Sequence, residues 1–191
     1  VLDVLDMQLV QYGSALIKRR QTFAEELGEI VHRIHSQLSG GQEEMELKYE
    51  PNVTEDAFAQ MLFANRERDM RLKTTATGPH RDDISFVVNG VDIRKFGSQG
   101  QQRTAALSLK LSEIELVKRL IGDTPVLLLD DVLSELDSGR QNYLLNSIEN
   151  IQTLITCTGL DEFVNHRFSI NRIYKVTDGS VTVENKQEAD R

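Results

Sequence analysis

Apolar residues at Leu2, Leu5, Leu9, Tyr12, Leu16, Phe23, Leu27, Ile30 and Ile34, with mostly polar residues between them, set a helical rhythm over the first 38 positions. Leu2, Leu9, Leu16, Phe23 and Ile30 also keep a seven-residue step, but Arg19 and Glu26 interrupt the second seam. The pattern predicts an amphipathic arm that packs on partner helices, with a bend near Gly28, rather than a free coiled coil. Ser39-Gly40-Gly41 ends it, and residues 45–49 alternate as a short strand before Pro51. Thr54 is the expected N-cap of a second helix that runs through Phe58, Met61, Leu62 and Met70 to about Leu72.

The texture changes after that. Residues 84–88 and 91–93 flank Asn89-Gly90 and predict a hairpin. A helix follows from about Gln101 to Ile121, with Leu107, Leu111, Ile114, Val117 (or Lys118) and Ile121 along one side. Gly122 to Pro125 turns the chain into a strand at Val126 to Leu129, apolar on both faces as expected of a central strand covered on both sides. A helix over 137–148, a buried strand over 153–156 and a hairpin around Asp178-Gly179 complete the pattern. Strands alternating with helices predict an α/β lobe with a partly parallel sheet. The expected division is a helical arm over 1–74 with a short strand near 45–49, the lobe over 75–185, and a polar, frayed tail over 186–191.

A chain of 191 residues with 39% hydrophobic residues holds enough apolar material for one or two cores. It opens without a basic-then-apolar leader and has no apolar run long enough to cross a bilayer, so a membrane is not an expected partner. The expected compartment is the cytosol, and the chain reads as a piece of a longer protein. Cys157 stands alone, which excludes a disulfide framework and a cysteine zinc site. A formal net charge of −8 excludes a globally basic nucleic-acid coat. Contact with DNA would need a local patch and would be salt-dependent. Lys18-Arg19-Arg20 is one candidate; Arg66, Arg68, Arg71 and Lys73, followed by His80 and Arg81, form another. Any single one of these charges also serves simply to solvate a helix surface.

Two segments carry candidate chemistry. In the first, Val126-Leu127-Leu128-Leu129 ends in Asp130 and Asp131 and continues into Ser134-Glu135-Leu136-Asp137. Acids at the carboxyl end of such a strand sit where open α/β sheets bind ligands. Asp130 is the candidate Mg²⁺ residue, acting through water, and Asp131 the candidate that orients or deprotonates an attacking water. A simple turn cap is the blander account, and two adjacent acids followed by Ser-Glu-Leu-Asp weigh against it. In the second, Ser98-Gln99-Gly100-Gln101 opens a helix, whose N–H groups and partial positive charge suit a terminal phosphate. That motif is weak alone, and its place one helix ahead of the acidic strand strengthens it. The phosphate-cradling loop Gly-x-x-x-x-Gly-Lys-Ser/Thr is nowhere in the chain, so the chain alone is expected not to turn over a nucleotide.

Two literal matches mislead. Leu38-Ser39-Gly40-Gly41-Gln42 matches the signature of ATP-binding-cassette ATPases, but Glu43, Glu44 and Glu46 follow and would repel a phosphate, so a helix C-cap is expected there. His80-Arg81-Asp82 is similar to the kinase catalytic loop, yet the position that should be Asn is Val87. The histidines 32, 35, 80 and 166 show no ligand spacing.

With Thr77-Gly78-Pro79-His80-Arg81-Asp82-Asp83, the stretch 96–111 and the stretch 125–137 in this order, the chain resembles the RecF family, relatives of the SMC and ATP-binding-cassette ATPases; the likeness extends to residues 2–20. The resemblance implies an ABC-type ATPase lobe with an inserted helical arm, and ATP with Mg²⁺ as cofactors. ATP would lie between two copies of the protein, with Ser98, Gln99, Gly100 and Gln101 of one copy at the nucleotide of the other. Asp130 would be the Walker B metal residue, and Asp131 would stand in place of the usual glutamate, implying slow hydrolysis. Ser134 and Asp137 would belong to a D-loop. The family implies ATP-dependent binding of single-stranded or gapped DNA, and action with RecR and RecO to load RecA. It also implies a role in the SOS response and a nucleoid-associated place in the bacterial cytoplasm. Two positions depart from the general cassette pattern: the switch position falls in Thr156-Cys157-Thr158 rather than on a histidine, and Gln99 replaces the first signature glycine. The alternatives are another SMC-like or transporter ATPase head, disfavoured for transporters by the arm and Asp131, or a binding module for DNA or protein with no catalysis of its own.

Overall fold

The computed structural model describes residues 1–133, 136–157 and 170–184. The expected tail, Ser134, Thr158 and His166 lie outside these residues. A long helix dominates the described chain because its first 38 residues lack proline and carry good helix formers between apolar positions. Helix α1 (Leu2–Leu38) runs unbroken through Gly28. Gly28 faces Leu47 of the following strand, where a Cβ would make only ordinary van der Waals contact, 3.6 Å from the Leu47 carbonyl oxygen. The buried stripe of α1 is Gly13, Ile17, Ala24, Leu27, Ile30, Val31, Ile34, His35 and Leu38. Of the seven-step series expected inside, only Ile30 is buried, and Leu2, Leu9, Leu16 and Phe23 are exposed. Tertiary partners select the other face.

Those partners are strand β1 (Met45–Glu50) and, further on, helix α4 (Gln99–Ile121), which both pack along α1. Strand β1 pairs antiparallel with β2 (Asp83–Val88), from Met45 opposite Val88 to Glu50 opposite Asp83. Strand β3 (Val91–Asp92) returns along β2 through Asn89 (φ 49°) and Gly90 (φ 82°), the left-handed pair that a tight hairpin needs. The short helix α3 (Ile93–Phe96) leads into α4. On α4 the buried residues are Thr104, Ala105, Leu107, Ser108, Leu111, Ser112 and Leu116, and Ile121 is 71% exposed. Each buried hydroxyl satisfies itself by donating to the carbonyl four residues back: Thr104 to Gly100 at 2.7 Å, Ser108 to Thr104 at 2.7 Å and Ser112 to Ser108 at 2.6 Å. Polar spacing hid this inner face from an apolar count.

Helix α2 (Phe58–Leu72) has its N-cap at Ala57, three residues after the expected Thr54. The Thr54 carbonyl accepts from the Ala57 N–H at 3.2 Å, so residues 54–57 form a turn before the helix rather than its first turn. Phe58 enters the core with Ile17, Val53 and Leu62, against Gly13 of α1, where a Cβ would lie 2.4 Å from the ring.

The segment 77–83 ties this first part together. The Asp82 carboxylate, its side chain 3% exposed, accepts from the Arg20 guanidinium at 3.0 Å, from the Tyr49 hydroxyl, and from the Asn52 N–H at 2.9 Å. Arg20 also donates to the Pro79 carbonyl. The Gly78 N–H donates to Asn52 Oδ1 at 3.1 Å, and Asn65 donates to Thr77 Oγ1 at 2.9 Å. Gly78 has φ 138° and its missing Cβ would sit 3.2 Å from both Phe58 and His80. His80-Arg81-Asp82 is therefore a structural joint, in keeping with its rejection as a kinase loop. Burial, and then the Asp82 carboxylate, push the Tyr49 phenol up to about 12.

A second unit contains β4 (Leu127–Asp130), helix α5 (Ser138–Ser147) and β5 (Thr153–Thr156), with β4 and β5 parallel and Asp130 opposite Thr156. Leu129 is buried, whereas Leu128 is 71% and Leu154 55% exposed. The expectation that β4 is covered on both faces is corrected: both faces are apolar, and among the described residues Leu129 is covered while Leu128 is not. The hairpin β6 (Ile173–Thr177) and β7 (Ser180–Glu184) turns at Asp178 and Gly179, both with positive φ. By contacts the first compact unit is Val1–Val126 with Asn150–Gln152, and the second is Leu127–Glu149 with the residues from Thr153 onward. Residue 74 falls inside the first unit, since β1 pairs with β2 and α1 packs on α4.

Replacing Asp82 by Ala leaves the Tyr49 hydroxyl and the Asn52 N–H without their acceptor, and is expected to cost about 2–3 kcal/mol in urea unfolding. A loss below about 0.5 kcal/mol would show that the joint is not structural. The Tyr49 contribution has a defined alkaline limit. Its pKa is raised, so the stabilisation is complete below about pH 10 and is lost as pH rises toward 12.

Candidate functional site

The candidate signature segment opens α4. Ser98 is its N-cap and makes a reciprocal capping box: Ser98 Oγ accepts from the Gln101 N–H at 3.2 Å, and the Ser98 N–H donates to Gln101 Oε1 at 3.1 Å. The Gln102 N–H goes to the Ser98 carbonyl at 3.0 Å. Among the described residues the N–H groups of Gln99 and Gly100 meet no acceptor. Ser98, Gln99 and Gly100 are exposed, and a Cβ at Gly100 would touch only Ser98 Oγ, at 4.0 Å. Glycine at 100 is thus not required by internal packing, and its bare backbone leaves room for a ligand. Gly97 has the opposite reason: a Cβ there would lie 2.6 Å from the Ile93 carbonyl, so it lets α3 fold tightly against the start of α4.

The literal cassette match near Ser39 is a C-cap, as expected. Gly40 (φ 64°) and Gly41 (φ 76°) adopt left-handed backbone, and the Gly41 N–H donates to the Ser36 carbonyl at 2.7 Å. Of the acids after this loop, Glu43 does more than repel anions: it accepts from the Gln101 carboxamide at 3.0 Å. No local signal in the sequence links residues 58 positions apart.

In the second unit the acids stand at the carboxyl end of β4. Asp130 is exposed, and its Oδ1 accepts from the Thr156 hydroxyl across the parallel pair. Asp131 has φ 50°, a left-handed conformation that Asp tolerates better than most residues. Its N–H donates to the Thr156 carbonyl at 3.1 Å and to Thr156 Oγ1 at 3.2 Å. Thr156 thus braces both acids. Sequence reasoning noted it only as lying where a switch histidine is often found. The oxygen-only set of Asp130, Asp131 and Thr156 fits a hard cation such as Mg²⁺ that keeps most of its water. No group of three or more His, Cys, Asp or Glu residues among the described residues forms a closed metal site. Asp137 is the N-cap of α5, accepting from the Arg140 N–H at 3.0 Å, and that N–H holds its carboxyl below the usual range. Ser134 lies outside the described residues.

The basic candidates separate into two kinds. Arg66 is held by Asp3 at 2.7 Å and Asp6 at 3.5 Å, and the Asp3 hydrogen bond raises its pKa. Arg20 belongs to the Asp82 joint. Arg68, Arg71 and Lys73 are exposed at the end of α2 and form no ion pair among the described residues. Arg81 donates to the Thr74 hydroxyl at 3.2 Å and the Thr75 carbonyl at 3.4 Å, beside Lys73 in the chain. No helix among the described residues is long and apolar enough to cross a membrane.

No protein-family model matches the chain. Among curated proteins it is 60% identical over 184 residues to the DNA replication and repair protein RecF of Lachnospira eligens, covering 96% of this chain and 51% of that one. It is 41% identical over 186 residues to the protein of the same name from Clostridium perfringens, covering 95% and 52%. Among solved structures, the recombination mediator protein RecF with ATP, of the RecFOR pathway, matches with a TM-score of 0.84 at 34% identity, over 96% of this chain and 52% of that one. The chain therefore spans about half the length of the curated relatives it matches. With this extent of identity and the matching ABC-type ATPase fold, an α/β lobe with a helical arm, the chain belongs to the RecF family and corresponds to the carboxyl-terminal portion of its members.

Proposed function

We propose that this chain supplies one half of the nucleotide site of an ATP-dependent, DNA-binding protein of recombinational repair, acting as a dimer closed by ATP. The observation that carries the proposal is the open first turn of α4, where the Ser98 hydroxyl and the unpartnered N–H groups of Gln99 and Gly100 stand exposed beside a bare glycine. Such a turn suits the γ-phosphate of a nucleotide held by a second copy. The phosphate loop absent from these 191 residues would lie elsewhere in the whole protein.

ATP with Mg²⁺, when bound, supplies the electrophilic phosphorus and the charge neutralisation. Asp130 would hold Mg²⁺, and Asp131 would orient the attacking water and accept its proton. Thr156 holds the Asp130 carboxylate through its hydroxyl and the Asp131 backbone through that residue's N–H. The short aspartate in place of a glutamate supports slow hydrolysis. Asp137, by capping α5, would anchor the D-loop that includes Ser134. Arg68, Arg71, Lys73 and Arg81 are the residues proposed to meet single-stranded or gapped DNA, and Arg66 would join them only by releasing Asp3 and Asp6. In this reading the partners are DNA, a second copy, RecR and RecO, and the outcome is loading of RecA at gaps during the SOS response, on the nucleoid in the bacterial cytoplasm. The open turn supports the nucleotide part of this reading, and the exposed basic end of α2 supports the DNA part.

In the full-length protein, Ser98→Arg should prevent ATP-dependent dimerisation, read by sedimentation. Unchanged dimers would remove the phosphate-contacting role from α4. Replacing Arg68, Arg71 and Lys73 together by Ala should weaken binding of single-stranded DNA and flatten the plot of log affinity against log salt by about 2 units. An unchanged slope would place the DNA surface elsewhere.

A further inference from the structure

Behind the signature turn a continuous line of hydrogen bonds leads into the interior of the first unit. Gln101 takes the Ser98 N–H at 3.1 Å and the Ser98 hydroxyl at 3.3 Å on its Oε1, and offers its Nε2 to Glu43 Oε1 at 3.0 Å. The other Glu43 oxygen meets His35 Nε2 at 3.2 Å, and His35 Nδ1 meets the Ser108 hydroxyl at 2.9 Å. His35 is completely buried and the Glu43 side chain is 20% exposed. Two side chains, Gln101 from the first turn of α4 and His35 from the last turn of α1, thus meet on the one carboxylate of the loop after α1, with Ser108 of α4 behind His35. A carboxylate only accepts, so His35 Nε2 carries a proton.

The backbone around Glu43 is held from two sides. Its N–H donates to Ser39 Oγ at 3.2 Å, in the C-cap of α1. The next N–H, of Glu44, donates to Asn89 Oδ1 at 2.9 Å, in the β2–β3 turn. A glutamate that merely solvates a loop needs neither the clamped backbone nor a buried imidazole behind it. A capping box also closes by itself, so Gln101 requires no third partner for helix initiation.

We propose that Glu43, backed by His35, is a positioning residue for the signature turn. It pins the Gln101 carboxamide, and through it the direction of the Ser98 hydroxyl and of the first N–H groups of α4. Seating of the γ-phosphate then depends on where α1 ends. The arm helix and the nucleotide turn are mechanically joined at this carboxylate. The inference rests on the proposed phosphate-contacting role of Ser98.

The test compares full-length wild type with Glu43→Ala, Glu43→Gln and Ser98→Arg. It reads the ATP concentration for half-maximal dimerisation by sedimentation, together with the ATP affinity of the monomer. Glu43→Ala should raise the ATP requirement about tenfold while monomer affinity stays within about twofold. Glu43→Gln should restore near-normal dimerisation, because its carbonyl accepts from Gln101 and its amide donates to His35 Nε2 once that nitrogen gives up its proton, while His35 Nδ1–H still donates to Ser108 Oγ, whose own proton goes to the Thr104 carbonyl. Should Glu43→Ala fail to fold, Gln101→Glu keeps the capping box but sets carboxylate against carboxylate, and must give the same shift. Normal dimerisation of Glu43→Ala beside a blocked Ser98→Arg overturns the positioning role alone, as does an equal defect in Glu43→Ala and Glu43→Gln. Normal dimerisation of all variants, Ser98→Arg included, overturns the signature reading and this inference with it.

Discussion

The carboxylate of Asp82 is the point from which the first unit is arranged, because a nearly buried anion is tolerated only where donors converge on it. Arg20 comes from the middle of α1, Tyr49 from the end of β1 and the Asn52 N–H from the loop beyond, so satisfying one side chain fixes three segments at once. Arg20 lies one turn from Ile17 and Ala24 in the buried stripe of α1, so the same contact selects which face of the helix turns inward. That choice sends His35, near the far end of α1, against Ser108 of α4. The placement of the signature turn therefore begins at a residue 16 positions before it in the chain.

Much of the fold was legible because it is encoded locally. The extent of α1, the Asn89-Gly90 and Asp178-Gly179 turns, strand β5 and the glycine-ended α4 follow from periodicity, left-handed turn residues and caps that lie within a few residues of what they shape. What was not legible depends on partners distant in sequence. The buried faces of α1 and α4 are chosen by each other and by β1, and on α4 a Thr104–Ser108–Ser112 line takes the place of an apolar one. Helix α2 gave up Thr54 as its cap because the 54–57 turn delivers Phe58 to the gap left by Gly13. Strand β4 looked doubly covered because both its faces are apolar, while covering matter is not a property of the strand.

The candidate site shows the same division. Ser98, Gly100 and the acid pair were visible as motifs, since a helix opening and a strand end each announce themselves over a few residues. The residues that hold them were not. Thr156 reaches Asp130 and Asp131 from a parallel neighbour, and Glu43 reaches Gln101 from the loop after α1. Asp131 adds a backbone reason for the choice of acid: a left-handed position accepts Asp or Asn with little strain and rejects branched side chains. An Asp131→Asn variant accordingly tests the carboxylate without disturbing the turn.

The central claim is that Ser98 serves a nucleotide held by a second copy, while Asp131 serves its own. Mixing full-length Ser98→Arg with full-length Asp131→Asn, each inactive alone, measures this most directly by ATP turnover. A mixed dimer retains one site with both an intact Asp131 and an intact partner Ser98. The account predicts that hydrolysis reappears on mixing, and a mixture as inactive as its components would contradict it.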